Sequence, residues 1–75
     1  MTPSPYAVIL VYSTNHAMRI ERLLNQQHIE CKLIPVPRQL SSDCGVCVRF
    51  QRADREKIVN CLNGAGIEVQ GIFEI

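Results

Sequence analysis

The sequence predicts an α+β fold in the order βαββαβ, and three observations carry that prediction. Four short apolar runs alternate with two longer stretches in which apolar residues recur at helical spacing. Capping and breaking residues (Ser, Asn, Gly, Pro) fall between these runs and punctuate them. The whole pattern fits within 75 residues, with no internal linker or low-complexity tract.

Residues 1–5 carry two prolines and read as a disordered lead, leaving residues 6–75 as a single domain. Residues 6–12 are apolar throughout and rich in β-branched side chains, as a central strand requires. Ser13, Thr14 and Asn15 supply N-cap candidates for a helix running to about Gln27. Ala17, Ile20, Leu23 and Leu24 share one face of it, while Arg19, Glu21, Arg22 and Gln26 fall largely outside that stripe. Residues 29–34 form a second strand, ended by Pro35 and Pro37. A loop over residues 38–45 leads to a third strand at 46–50. The second helix spans about 53–63 with Ile58, Val59 and Leu62 inward, and Gly64 and Gly66 close it. Residues 69–75 make the last strand.

The simplest packing of that order is ferredoxin-like: a four-stranded antiparallel sheet with both helices on one face. The two βαβ-like halves are related in pattern, with no clear sequence repeat. A right-handed crossover makes the first two strands parallel, so both end at one edge of the sheet. His16 and the free N–H groups of residues 14–17 then approach the loop after the second strand, where a helix start favours an anion.

Composition limits the function classes. Net charge is +1 with no basic run, so electrostatic attraction to nucleic acid or anionic membrane is weak, and neither is expected as a partner. The longest apolar stretch, residues 7–12, is too short to span a bilayer, and no secretory signal opens the chain. A cytoplasmic location follows as the expectation. At this size a single core is marginal, which makes a homodimer a natural way to gain stability.

Four cysteines are present. Cys31 and Cys61 lie in apolar periodic segments and read as small buried hydrophobes with reduced thiols. Residues 35–50, P-V-P-R-Q-L-S-S-D-C-G-V-C-V-R-F, are more informative. They set Cys44 in a Ser41-Ser42-Asp43-Cys44-Gly45 turn, with Arg38 before it, Arg49 after it and Cys47 three positions on. Turn residues expose the backbone, and arginines favour thiolate over thiol.

Cys44-Gly45-Val46-Cys47 admits several readings. A thioredoxin-like dithiol sits where a strand turns into a helix, whereas here a strand follows. A structural zinc needs four ligands, and Cys31, His16 and His28 lack the spacing to complete one, so no metal is expected. The remaining reading gives the cysteines different tasks. Strict alternation places Val46, Val48 and Phe50 toward the helices, with Cys47 and Arg49 on the open side. Cys44 stays in the loop, with Gly45 allowing a tight path, and is the nucleophile candidate. Cys47 is either a resolving thiol or a small residue on a half-exposed face. Arg38 and Arg49 hold a thiolate, an oxyanion or a partner's carboxylate, or else pair with Asp43 to fix the loop. Asp43 also serves to cap the turn. His16 is a proton donor beside the loop or an incidental exposed residue, and His28 an exposed helix-end cation or turn residue. No Gly-rich phosphate loop or paired-carboxylate site is evident, which disfavours an ordinary hydrolase or kinase.

Four segments carry a resemblance: Tyr12-Ser13-Thr14-Asn15-His16-Ala17, Lys32-Leu33-Ile34-Pro35-Val36-Pro37-Arg38, Ser41-Ser42-Asp43-Cys44-Gly45 and Gly71-Ile72-Phe73-Glu74-Ile75. Over residues 6–75 the chain resembles the family of small selenium/sulfur (Se/S) carrier protein-like domains. The resemblance implies a carrier rather than a turnover enzyme, holding a persulfide or perselenide on Cys44. Arg38, Ser41, Ser42, Gly45 and Arg49 match the surrounding pattern, with Asp43 and His16 beside them as binding residues. Cys47 departs from it, since an aliphatic residue or alanine is expected there. A thiol at that position can attack the loaded Cys44, forming a disulfide and releasing hydrosulfide or hydroselenide. A persulfide or selenium donor protein and an acceptor protein are the implied partners, and no cofactor, nucleotide, flavin or metal is required. Two other classes stay open. One is a noncatalytic dimerisation module using an open sheet face that carries Ile34 and Ile72. The other is a Cys44/Cys47 thiol redox switch.

Overall fold

Strand β1 (Tyr6–Leu10) lies inside the sheet because Ala7, Val8, Ile9 and Leu10 are all apolar and can be buried on both faces. The computed structural model describes residues 5–38, 40 and 45–75. After β1 come α1 (Thr14–Gln26), β2 (Cys31–Pro35) and β3 (Val46–Gln51). One turn of 3₁₀ helix (Arg52–Asp54) then leads into α2 (Arg55–Ala65), and β4 (Gly71–Glu74) follows. The element order is the expected one. The α+β fold has a four-stranded antiparallel sheet in the order β2-β3-β1-β4. No helix among the described residues is long and apolar enough to cross a membrane.

The register fixes which ends meet. β1 and β2 both run antiparallel to β3, so they are parallel to each other, as the crossover argument requires. Cys47 lies opposite Leu10 on one side and Ile34 on the other. The start of α1 and the connection leaving β2 therefore belong to one edge of the sheet.

Both helices cover the same face. Ala17, Ile20 and Leu24 of α1 and Ile58 and Leu62 of α2 share one buried cluster with Ala7, Ile9, Val11, Val48 and Phe50. The opposite face holds a second, smaller cluster of Val8, Leu10 and Cys47, packed by Ile34, Val36, Leu40 and Ile75. Here the structure corrects two expectations. Cys47 does face away from the helices, but it is fully buried, not half-exposed. The chain beyond β2 explains this: it turns back, with Leu40 N–H donating to Pro37 O at 3.0 Å, and lays Val36 and Leu40 over that face. Ile72 is not on the open face. Its register partner is Ile9, which points to the helices, so Phe73, opposite Val8, is the outward aromatic of β4.

Helix ends follow local chemistry. Ser13, in extended backbone, accepts the His16 N–H on its Oγ at 3.3 Å and so caps α1. At the other end His28 takes a left-handed φ of 60°, His28 N–H reaches Asn25 O at 3.0 Å, and Ile29 N–H reaches Leu24 O at 2.8 Å. This is a Schellman motif, and it explains why β2 starts at Cys31, later than the apolar pattern suggests. α2 ends the same way at Gly66, with φ 67°.

Arg52 ties the far edge of the sheet together. Its N–H donates to Pro5 O at 2.8 Å, and its side chain donates to Tyr6 O at 3.2 Å and Ile75 O at 3.3 Å. An ion pair to Glu74 at 3.6 Å completes the clasp.

Candidate functional site

The β2–β3 connection leaves and returns at one point. Val36 N–H donates to Gly45 O at 3.2 Å, closing the loop that carries the Ser-Ser-Asp-Cys segment. Ser41, Ser42, Asp43 and Cys44 themselves lie outside the described residues. The frame around them is clear. Leu40 packs onto the buried patch at Cys47, Arg38 is exposed, and Gly45 is exposed at the start of β3. A Cβ added at Gly45 would meet nothing within 4 Å, and its φ is not left-handed, so the described surroundings do not themselves demand glycine.

His16 stands at the same sheet edge, in the first turn of α1, half-buried rather than exposed. Its backbone N–H is used by Ser13, while its imidazole Nδ1 is buried without a hydrogen-bond partner. A buried polar atom left unpaired carries a desolvation penalty on the order of 1–3 kcal/mol. That makes His16 the one side chain in this frame whose bonding capacity is conspicuously unused among the described residues.

Arg49 goes elsewhere. It lies opposite Val8 and Lys32, and its guanidinium carbon is 4.4 Å from the centroid of the Tyr6 ring. Tyr6 begins β1, whereas Leu10 and Cys47 mark the other end of the β1–β3 pairing. The structure thus joins Arg49 to Tyr6, and groups His16 with the loop frame at the opposite edge.

The three described cysteines, Cys31, Cys47 and Cys61, sit in different settings. Cys47 is fully enclosed and its Sγ–H points to Pro35 O at 3.9 Å. Cys31 is half-buried in β2, with its Sγ–H toward Glu21 O at 3.9 Å. Burial pushes the Cys31 thiol pKa up, and the negative charge of Glu21 adds to the effect. Cys61 is half-buried on α2 and packs against the helix-side core. Cys31 and Cys61 are therefore core-packed, though neither is fully buried. Among the described residues no three His, Cys, Asp or Glu side chains converge as a metal-binding group.

The sequence reading did not anticipate the cover that Val36 and Leu40 form over Cys47. A signal existed: two apolar residues in a proline-rich connection that solvated loop chemistry does not need. Nor did it anticipate the Tyr6–Arg49 stack, which only the β1–β3 register creates.

No curated protein and no solved structure matches this chain. The model of one family, described as "Putative Se/S carrier protein-like", matches residues 6–74, nearly the whole chain, and the chain belongs to that family.

Proposed function

We propose that this protein carries sulfur or selenium as a persulfide or perselenide on Cys44, received from a donor protein and passed to an acceptor protein. Family membership across residues 6–74 is the observation that carries this reading. Cys44 lies in the Ser-Ser-Asp-Cys-Gly segment, and the described frame supports a presented loop. Val36 and Gly45 pinch its base, Leu40 anchors one arm on the sheet, and Arg38 stays in solvent. The strand order and the shared helix face are compatible with ferredoxin-like packing, which would set α1's N-terminus and His16 beside that loop.

The chemistry is thiolate exchange. The Cys44 thiolate attacks the outer sulfur or selenium of the donor's persulfide or perselenide. A bond forms from Cys44 Sγ to that atom, the donor's bond to it breaks, and the donor cysteine leaves as thiolate. An acceptor thiolate then takes the atom by the same substitution, so the carrier itself undergoes no net oxidation. Arg38 favours the ionised thiol and His16 supplies a hydrogen-bonding group at the edge, whereas the His16 and Ala17 N–H groups, expected to be free, are taken by Ser13. Ser41, Ser42, Asp43 and Gly45 flank Cys44 in the sequence as the remaining binding residues, whereas Arg49, stacked on Tyr6 away from the loop frame, is given no part in the exchange.

Burial of Cys47 favours carriage over a redox switch. A thiol enclosed by Val36, Leu40 and Ile34 and aimed at Pro35 O is kept from discharging a loaded neighbour. The protein works in the cytoplasm under this reading, where thiols stay reduced.

The test is intact mass after incubating the reduced protein with a persulfide-generating desulfurase, followed by peptide mapping. One added sulfur on Cys44 that moves to a second thiol is the expected result, and Cys44→Ser should abolish it with the fold unchanged. Equal loading of Cys44→Ser would overturn the site. A Cys44–Cys47 disulfide without hydrosulfide release would favour the switch, and no adduct at all would leave a noncatalytic dimerisation module.

A further inference from the structure

The sheet ends on β2 and β4, each paired on one side only among the described residues. An unpaired strand edge is a template for another strand, and these two edges differ in what they offer. In β2 the Val36 N–H turns inward to Gly45 O at 3.2 Å, so alternation directs the backbone groups of Cys31, Leu33 and Pro35 outward. Pro35 has no N–H to give, Pro37 follows it, and exposed Lys32 adds a charge to the strand. Proline and lysine are the usual guards of an edge kept single. β4 has no proline. Its Ile75 N–H turns inward to Tyr6 O at 3.4 Å, which directs the backbone groups of Ile72 and Glu74 outward.

Phe73 stands between them. It is 41% exposed, and its ring lies over the position that a Cβ on Gly71 would take. An antiparallel copy meeting this edge has a choice of two-fold axes. An axis through Glu74 sets two carboxylates face to face, which is unfavourable. An axis through Ile72 calls on the Gln70 N–H, already committed inward to Leu10 O at 2.7 Å. An axis through Phe73 uses only groups that face outward. Ile72 of each copy then exchanges backbone bonds with Glu74 of the other. Phe73 meets its own copy in the close, non-hydrogen-bonded pair, with Cα atoms about 4.5 Å apart. The Glu74 carboxylate keeps its ion pairs to Arg52 at 3.6 Å and Arg55 at 3.9 Å.

We propose that this chain forms a two-fold dimer through β4, with Phe73 on the axis and the sheet continued from one copy into the other. The occupant is a second copy because the strand satisfies itself in that register. Donors meet acceptors, an exposed ring meets an identical ring, and no like charges are opposed. A domain of 75 residues has a marginal core and gains from the added burial. β4 is short, so backbone pairing alone holds the copies weakly and the ring pair decides the affinity. β4 lies at the opposite edge of the sheet from β2, where the connection to Cys44 starts, so the pairing does not depend on the carrier reading.

The experiment combines sedimentation equilibrium with amide exchange over a dilution series of the intact chain. Twice the chain mass is expected at NMR concentrations, falling toward the single-chain mass on dilution. Ile72 and Glu74 amides should be protected only where the dimer forms, whereas Phe73 and Ile75 amides, turned toward β1, should be protected throughout. Phe73→Lys and Phe73→Glu each set like charges on the axis and should be monomeric, with the parent circular dichroism because Phe73 is exposed. Mixing the two variants should restore the dimer. A single-chain mass at every concentration would overturn the proposal. So would Ile72 and Glu74 protection that ignores dilution, since the chain would then cover its own edge. A dimer that survives Phe73→Lys, or a mixture that stays monomeric, would overturn it equally.

Discussion

His28 and Gly66 hold equivalent places in the two halves of the fold. Each takes a left-handed φ, 60° and 67°, one residue before an isoleucine whose N–H closes the helix. Ile29 reaches Leu24 O at 2.8 Å and Ile67 reaches Leu62 O at 3.1 Å. The sequences around them are Leu24-Asn25-Gln26-Gln27-His28-Ile29-Glu30 and Leu62-Asn63-Gly64-Ala65-Gly66-Ile67-Glu68. A Leu-Asn-x-x-x-Ile-Glu repeat is therefore present in halves that are related in pattern but read as having no clear sequence repeat. Only one copy has glycine at the position where left-handed backbone is unstrained.

That asymmetry predicts a stabilising substitution. His28→Gly removes Cβ strain from the α1 terminus, and the strain outweighs the flexibility glycine adds to the unfolded chain. The urea midpoint should rise by the equivalent of about 0.5–1 kcal/mol with an unchanged slope. An unchanged or lower midpoint would mean that the His28 side chain contributes more than its backbone strain takes away.

The reciprocal change should destabilise. Gly66→Ala places a Cβ on left-handed backbone, and although the space around Gly66 is open, the strain is conformational. A loss of about 1 kcal/mol is expected in the same denaturation experiment. Tolerance of alanine would show that α2 can end one residue earlier without penalty.

Ser13→Ala should release the His16 N–H and loosen the first turn of α1, lowering stability by about 1 kcal/mol. Amide exchange would report it locally, at residues 15–17, ahead of any change in the sheet. Uniform acceleration across the chain would instead mark a global effect.

Cys31 gives a pH prediction with a definite sign. Its thiol pKa is raised in the folded protein, so the folded state holds the proton more tightly than the unfolded chain does. The stabilisation is fully present below the ordinary thiol value of 9.0 and is lost as pH rises through the folded value. Stability should fall across that alkaline window, less steeply in Cys31→Ala, and Glu21→Gln should move the folded pKa down. A Cys31→Ala variant with the parent's alkaline slope would contradict this.

Cys47→Ala tests the enclosed thiol. Removing one buried sulfur from the patch with Val8 and Leu10 should cost about 1 kcal/mol of stability, yet leave sulfur loading on Cys44 intact. Loss of loading in a folded Cys47→Ala protein would give Cys47 a direct part in the transfer.

The sequence by itself determined the element order and the buried positions Ala17, Ile20, Leu24, Ile58 and Leu62, because periodicity acts over a few neighbouring residues; Leu23 and Val59, also expected inward, are half-buried outside the core cluster, and of the three cap candidates the structure uses Ser13. It also determined the family, through motifs at Cys44 and its surroundings. Tertiary structure alone decided what faces what. Cys47 is buried because Val36 and Leu40 fold back over it, Ile72 and Phe73 exchange faces according to which residue meets Ile9, and Arg49 rests on Tyr6 because β1 and β3 pair in one register. A strand's alternation repeats every two residues, so a one-residue change of register turns every side chain over. Only long-range pairing fixes that choice.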